Sequence, residues 1–278
     1  MDCGLYVVAT PIGNLGDMSE RAIRVLRDVE LVAAEDTRHS QRLFQHFDID
    51  TPALAYHDHS DERAMARITD CLAAGGSVAL VSDAGTPLIS DPGYRLVRAA
   101  QAQGIEVYPI PGPCAAVTAL SASGLATDRF RFEGFLPSRA GSRSNRLREL
   151  AREQATLIFY EAPHRVCECL LAMAEVLGGE REAVLARELT KTFETIRRDS
   201  LSGLVEFVAG DGNQQKGEIV LLVAGRDGRE DIIGVDTAAL LERLAQELPA
   251  KRAAAVVADL TGLRKKQLYD YLLANKQA

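Results

Sequence analysis

The run SVALVSDAGTPLISDPGYRLVRAAQAQGIEVYPIPGPCAAVTAL, residues 77–120, decides the fold. SVALVS (77–82) is a short, continuous apolar stretch, which reads as a strand covered on both faces. A Gly/Pro-rich loop follows, then a helical pattern over 93–103, a second strand IEVYPI (105–110), and PGPCAAVTAL leading into another helix. Strand, helix and strand in alternation imply a largely parallel sheet, whose ligand sites lie at the carboxyl ends of its strands.

Both loops in this run are stiff. Five of the ten prolines fall between Pro87 and Pro113, and Gly85, Gly93 and Gly112 supply permissive backbone, so amides and carbonyls can be preset around a ligand. Asp83 and Asp91 could each meet a cationic group or cap the following turn.

Towards the N-terminus, GLYVVA (4–9) reads as a buried strand, residues 19–28 as a helix capped by Ser19, and ELVAAE (30–35) as a strand. The loop DTRHS, a helix from about Gln41 and a long helix at about 60–74 follow. Towards the C-terminus the pattern changes after Gly124-Leu125. RFRFEGFL (129–136), TLIFYEA (156–162), AVLARE (183–188), TFETIRR (192–198) and GEIVLLVAG (217–225) are expected strands, with a helix from His164 to about Leu177. Their short connections point to a mixed or antiparallel sheet. GRDGRED (225–231) reads as a linker, and 236–248, 250–260 and 263–274 as short helices divided by Pro249 and Thr261-Gly262. The expected domains are therefore 1–124, 125–226 and 227–278.

The 278 residues carry 47% hydrophobic and 26% charged side chains, enough to bury more than one core and too apolar for a disordered chain. No basic leader and no apolar run of spanning length is visible, so a soluble, cytoplasmic protein without membrane contact is expected. Its cysteines, 3, 71, 114, 167 and 169, are scattered and fit a reducing compartment. The net charge of −7 argues against indiscriminate nucleic-acid coating, but charge is segregated. Between Arg129 and Arg152 seven arginines face two glutamates, and from Asp236 to the end seven basic residues face five acidic ones.

Several motifs fail on spacing. ATPIGNLGD (9–17) follows a strand but is neither GxGxxG nor GxxxxGK[ST], and no GxSxG elbow occurs. His57 and His59 lack a third ligand, so no metal site is expected. EDTRHS (35–40), YEAPHR (160–165) and RELTK (187–191) sit at strand ends, where structural ion pairs and functional groups both occur. PSRAGSRSNRLREL (137–150) suits either a flexible loop that orders on phosphates or a solvated helix start. Residues 252–274 have the form of a helix-turn-helix, with Arg264, Lys265 and Lys266 opening the second helix; phosphate contact or packing of a small module would account for it.

ATPIGNLGDMSERAIRVL, EDTRHSQRL, SDAGTPLISDPGYRLV, PIPGPCAAVTAL, FEGFLP, FYEAPHR, ARELTKTFE and KGEIVLLVAG, in this order, closely resemble the bacterial 16S ribosomal RNA cytidine 2′-O-methyltransferases of the tetrapyrrole methylase superfamily. The resemblance implies two α/β domains of tetrapyrrole methylase type with a cofactor cleft between them, plus a small C-terminal helical module. It also implies S-adenosyl-L-methionine (SAM) as cofactor, a homodimer, and 16S rRNA in the 30S subunit as partner, methylated on a cytidine ribose in the decoding centre. Carried over motif by motif, the cofactor contacts would be Pro11, Asp83, Ala84, Gly85, Thr86, Cys114, Ala115, Tyr160, Leu189, Gly217 and Glu218. Cys114 departs from the serine or threonine common after the PG turn. Glu188 and Lys191 are hypothetical proton acceptors for the ribose hydroxyl, the lysine only if desolvated to neutrality. Arg139, Arg143 and Arg146 are expected to grip rRNA phosphates, with Arg38, His164, Arg165, Arg264, Lys265 and Lys266 as further RNA contacts. The rivals are a superfamily methyltransferase acting on a tetrapyrrole or a protein, and a non-catalytic rRNA-binding assembly factor.

Overall fold

The computed structural model describes residues 1–57, 62–226, 235–261, 263 and 265–275. Contacts divide the chain into two compact units, Met1–Arg226 and Asp227–Ala278.

The first sheet is built from β1 (Gly4–Val8), β2 (Leu31–Ala34), β3 (Ala53–Ala55), β4 (Ser77–Val81) and β5 (Val107–Ile110). Helices α1 (Glu20–Asp28), α2 (Thr37–His46), α3 (Glu62–Ala73), α4 (Tyr94–Ala102) and α5 (Ala115–Ser123) alternate with these strands or follow them. The order is β3-β2-β4-β1-β5 and every pairing is parallel, as the alternation predicts. Successive residues of each strand serve opposite cores: Val8, Val32, Ala34 and Val81 meet Leu26 of α1 and Phe44 of α2, while Leu5, Ala33, Val78 and Leu80 meet Ile68 of α3 and Leu96 of α4. Each such fully buried Leu or Phe contributes roughly 1.5–3 kcal/mol. Ser19 caps α1 by accepting from the Ala22 amide at 3.1 Å. The helix expected from Gln41 begins earlier, at Thr37, because the Asp36 carboxylate takes the Arg38 amide at 2.8 Å; DTRHS is its first turn, not a loop.

The second sheet takes β6 (Phe130–Phe135), β7 (Thr156–Glu161), β8 (Glu182–Arg187), β9 (Thr195–Ser200) and β10 (Ile219–Val223) in the order β6-β7-β10-β8-β9, backed by α6 (Ala140–Leu150), α7 (Val166–Leu177) and α8 (Leu201–Gly210). It is mixed: β6 and β7 run parallel, the other pairs antiparallel. Leu157, Phe159, Leu185 and Leu221 face α6–α8, through Leu147, Leu170, Met173 and Leu204. The other face, with Ile158, Val184, Val220 and Leu222, packs on Ala116, Ala119 and Leu120 of α5 and on Ile12 of the loop after β1. Thus α5, which follows the first sheet, is buried against the second and fixes the two halves of this unit to each other.

The arginine-rich stretch is helix α6, with Arg143, Leu147 and Leu150 on its buried face. Helix α8 and the short strand β3 have no counterpart among the expected elements, although Ser200 caps α8 and Leu201, Leu204 and Val208 carry the helical period.

The C-terminal unit holds α9 (Val235–Glu247), α10 (Ala250–Thr261) and α11 (Lys265–Asn275), closed around Leu241, Ala253, Ala254, Val257, Leu268 and Leu272. Pro249 divides the first two helices, and its carbonyl accepts the Ala253 amide at 3.0 Å. No helix among the described residues is long and apolar enough to cross a membrane.

Candidate active site

Three loops at the carboxyl ends of parallel strands are stitched together. Thr10 and Gly85 exchange backbone hydrogen bonds at 2.9 and 3.1 Å, and the Thr86 hydroxyl donates to the Pro113 carbonyl at 2.9 Å. Gly112 is required by close approach, since a Cβ there would lie 2.9 Å from the Ala9 Cβ. Strands β2 and β4 are tied at their ends by a reciprocal pair: the Asp36 amide donates to Asp83 Oδ1 at 3.1 Å and the Asp83 amide to Glu35 Oε2 at 3.2 Å.

The opposing wall comes from the second sheet. Tyr160, on β7, accepts the Ala116 amide at 3.2 Å, satisfying one of the amides that open α5. Its phenol is held well above its ordinary pKa, first by burial and then by neighbouring Cys114. Beyond β8 the backbone turns left-handed at Glu188 (φ 51°) and Thr190 (φ 67°). Glu188 accepts the Glu218 amide and Lys191 Nζ, both at 2.9 Å, and Lys191 also pairs with Glu218 at 3.2 Å. Gly217 has φ +78°, and a Cβ on it would come within 2.4 Å of the Glu188 carboxyl carbon, so glycine is needed on both counts. Burial would raise Glu188 and lower Lys191, but their mutual hydrogen bond and neighbouring charges win, leaving a lowered carboxyl and a raised ammonium. Arg187, 7% exposed, fastens this corner by donating to Gln214, the carbonyls of Lys216 and Phe193, and the Thr195 hydroxyl.

Between these walls lies a cleft of about 410 Å³, within the size range of small-molecule sites. It is lined by Asp83, Ala84, Gly85, Thr86, Cys114, Ala115, Tyr160, Leu189, Gly217 and Glu218, so ten of the eleven expected cofactor positions converge. The eleventh, Pro11, adjoins the lining residue Ile12. Glu188 and Lys191 lie behind this lining, the first against Gly217, the second across Gly13. As a paired ammonium, Lys191 is not the desolvated neutral amine that a lysine base requires.

The cleft also contains Glu35, Ile89, Asp91 and Phe135, which the motif carry-over omits. Burial and the charge of Asp83 push Glu35 up, against the Asp83 amide. Asp91 is pushed up to about 6, by burial first, then by Glu35 and Asp83, against a hydrogen bond with Ser82. Their signal lay in the sequence: Glu35 closes a predicted strand, and Asp91, like Asp83, belongs to the stiff Gly/Pro-rich loop after another.

The expected RNA contacts differ in exposure. Arg139, His164, Lys265 and Lys266 are exposed, and Arg38 is exposed but held by Asp36 at 2.8 Å. Arg143 corrects the phosphate-gripping expectation: its side chain is 5% exposed, donating to the Ser138 carbonyl and to Glu168, so it is turned into the protein. Arg146 is engaged by Glu133 at 2.6 Å and Glu149 at 2.5 Å. Arg165 is largely buried, donating to the Leu136 and Pro137 carbonyls and pairing with Glu161. Arg264 lies outside the described residues.

A parallel sheet and a mixed sheet enclosing a cleft of backbone turns define the class, the tetrapyrrole methylases. Residues 4–205 match the tetrapyrrole (corrin/porphyrin) methylase family and residues 231–276 the RsmI C-terminal HTH domain. Solved structures share the fold: the cobalt precorrin-4 methyltransferase CbiF (16% identity, 79% of this chain and 94% of that one, TM-score 0.60) and a Thermus thermophilus uroporphyrin-III C-methyltransferase complexed with S-adenyl homocysteine (18%, 79% and 96%, TM-score 0.55). Ribosomal RNA small subunit methyltransferase I from Pseudomonas aeruginosa is 59% identical over 97% of this chain and 96% of its own length. Its namesakes from Vibrio cholerae (54%, 98% and 94%) and Escherichia coli O157:H7 (50%, 97% and 94%) agree. The chain belongs to the ribosomal RNA small subunit methyltransferase I family. S-adenosyl-L-methionine is the cofactor of this methyltransferase family.

Proposed function

We propose that this chain transfers a methyl group from SAM to the ribose 2′-hydroxyl of a cytidine in the decoding centre of 16S rRNA, acting in the cytoplasm on the 30S subunit. The observation that carries this reading is the 59% identity, over nearly the whole of both chains, to an rRNA small subunit methyltransferase I. The cytidine, the 2′ position and the homodimer are what the motif resemblance implies.

The cleft suits the cofactor. Backbone at Gly85, Ala115 and Gly217 lets a ligand approach closely, the amides that open α5 suit a carboxylate, and Glu35, Asp83 and Asp91 complement a sulfonium cation. SAM supplies an electrophilic methyl group whose departure leaves a neutral thioether. The remaining work of this chain's residues is alignment and removal of one proton. Glu188 and Lys191 remain proposed contributors, Glu188 as the carboxylate of the pair and Lys191 as the cation that holds it. Asp91 joins them as proton acceptor, because it faces the cleft and ionises near neutrality. For RNA binding, the proposal retains Arg38, Arg139, His164, Lys265 and Lys266.

The test is transfer of labelled methyl from SAM to unmodified 30S subunits, with mapping of alkali-resistant ribose positions. A single resistant cytidine is expected. Transfer to a porphyrinogen but not to 30S or free rRNA would overturn the reading, and failure to bind SAM would favour the assembly factor. Light scattering on the purified chain checks the homodimer.

A further inference from the structure

Two of the large apolar side chains that line the cleft stand exposed, Ile89 at 37% and Phe135 at 54%. Their presentation is built in. Ile89 is flanked by Leu88 (φ 73°) and Ser90 (φ 65°), two non-glycine residues in the left-handed region, an arrangement kept only where the surroundings impose it. Phe135 follows a break in the β6–β7 register between Phe132 and Gly134, where a bulge re-aims the strand end. Gly134 has φ +64°, and a Cβ on it would lie 3.2 Å from Ser90 Oγ, so the bulge abuts the loop that carries Ile89. The Phe135 ring meets Tyr160 edge to face at 5.9 Å and 67°, and Tyr160 is fixed in turn by the Ala116 amide.

A ribose hydroxyl within stacked RNA cannot reach a methyl donor at the floor of a cleft, so the target nucleotide has to leave its stack. Its base then needs an aromatic or aliphatic surface to replace the neighbours it lost. We propose that Phe135 and Ile89 are positioning residues that clamp the extruded pyrimidine base of the target nucleotide at the cleft mouth, setting its ribose over the carboxylate-lined floor. The proposal rests on the RNA reading above and goes further by assigning the base its contact surface.

The chain contains no tryptophan, so Phe135→Trp introduces a single reporter that keeps an aromatic face. Wild type, Phe135→Ala, Phe135→Trp and Ile89→Ala are compared for methyl transfer to unmodified 30S subunits, SAM affinity by calorimetry, and thermal midpoint. Phe135→Ala is expected to lower kcat/KM for 30S about ten- to a hundredfold, the scale of one stacked base, while SAM affinity stays within about twofold. Ile89→Ala loses less, and Phe135→Trp restores most of the activity. Tryptophan emission is expected to change on adding 30S to the S-adenosylhomocysteine-bound variant, and not on adding S-adenosylhomocysteine alone. An active wild type with an equally active Phe135→Ala overturns the clamp and leaves the RNA reading intact. Loss of SAM affinity matching the loss of rate, or emission that responds to S-adenosylhomocysteine alone, makes Phe135 a cofactor wall and also overturns it. A wild type inactive on 30S removes both.

Discussion

Asp91 carries the sharpest test at the residue scale. Burial withdraws its carboxyl from water, Glu35 and Asp83 add like charge, and the Ser82 hydrogen bond only partly offsets them, giving a value of about 6 against 3.8 for a free aspartate. A proton acceptor has to be ionised, so single-turnover methylation should climb about tenfold per unit below pH 6 and level off above it. Asp91→Asn should lower the plateau by about 10²- to 10⁴-fold and abolish that limb, with SAM still bound; an unchanged profile would take Asp91 out of the chemistry. Stability has the opposite sign. The folded state holds the proton more tightly than the unfolded chain, so Asp91 lowers stability as pH rises from about 4 to 6, and urea melts of Asp91→Asn should lack this decline. Gly217 offers a steric counterpart: Gly217→Ala combines φ +78° with a Cβ pressed on the Glu188 carboxyl, and should cost about 1–3 kcal/mol in urea unfolding and weaken SAM binding.

At the scale of elements, α6 divides two kinds of arginine that composition alone could not separate. Arg143 shares the helix's buried face with Leu147 and Leu150, whereas Arg139 stands exposed at its N-cap. Arg143→Ala should therefore lose about 1–3 kcal/mol of stability through lost packing and hydrogen bonds, while Arg139→Ala should leave the thermal midpoint alone and weaken RNA binding. The reverse assignment in paired melting and binding assays would refute this division. The same contrast explains how far the sequence could be read. Strands such as SVALVS and the turns of SDAGTP and PGPC declare themselves, because burial on both faces and fixed φ leave local marks. The lining of the cleft was legible through motif resemblance, since much of it is built from glycine turns such as those at Gly85 and Gly217. Which arginine points inward was not, because that depends on Glu133 and Glu168, 13 and 25 residues away from their partners. Phe135 escaped for a related reason, since a phenylalanine at a strand end is commonplace until a bulge brings it into the cleft that also holds Asp91.

For the whole molecule, the net charge of −7 means that RNA meets a repelling body unless basic groups are concentrated where contact occurs. Arg143 and Arg146 of the basic window, and Arg165 beyond it, are engaged in ion pairs within the fold's own surface and interior, which shifts the electrostatic work to other, exposed groups. In the C-terminal unit Lys265 and Lys266 open α11, where two positive charges oppose the helix dipole and gain from an external anion. Each phosphate neutralised releases counterions, so the slope of log affinity against log salt counts contacts at roughly 0.7–0.9 per phosphate. The double variant Lys265→Ala, Lys266→Ala should thus flatten the salt dependence of 30S binding by about 1.4–1.8. Its kcat at saturating 30S should stay near wild type, because the cleft is formed by residues of the first unit. An unaltered slope would make α11 a packing element of its own three-helix unit and leave Arg38, Arg139 and His164 to hold the RNA.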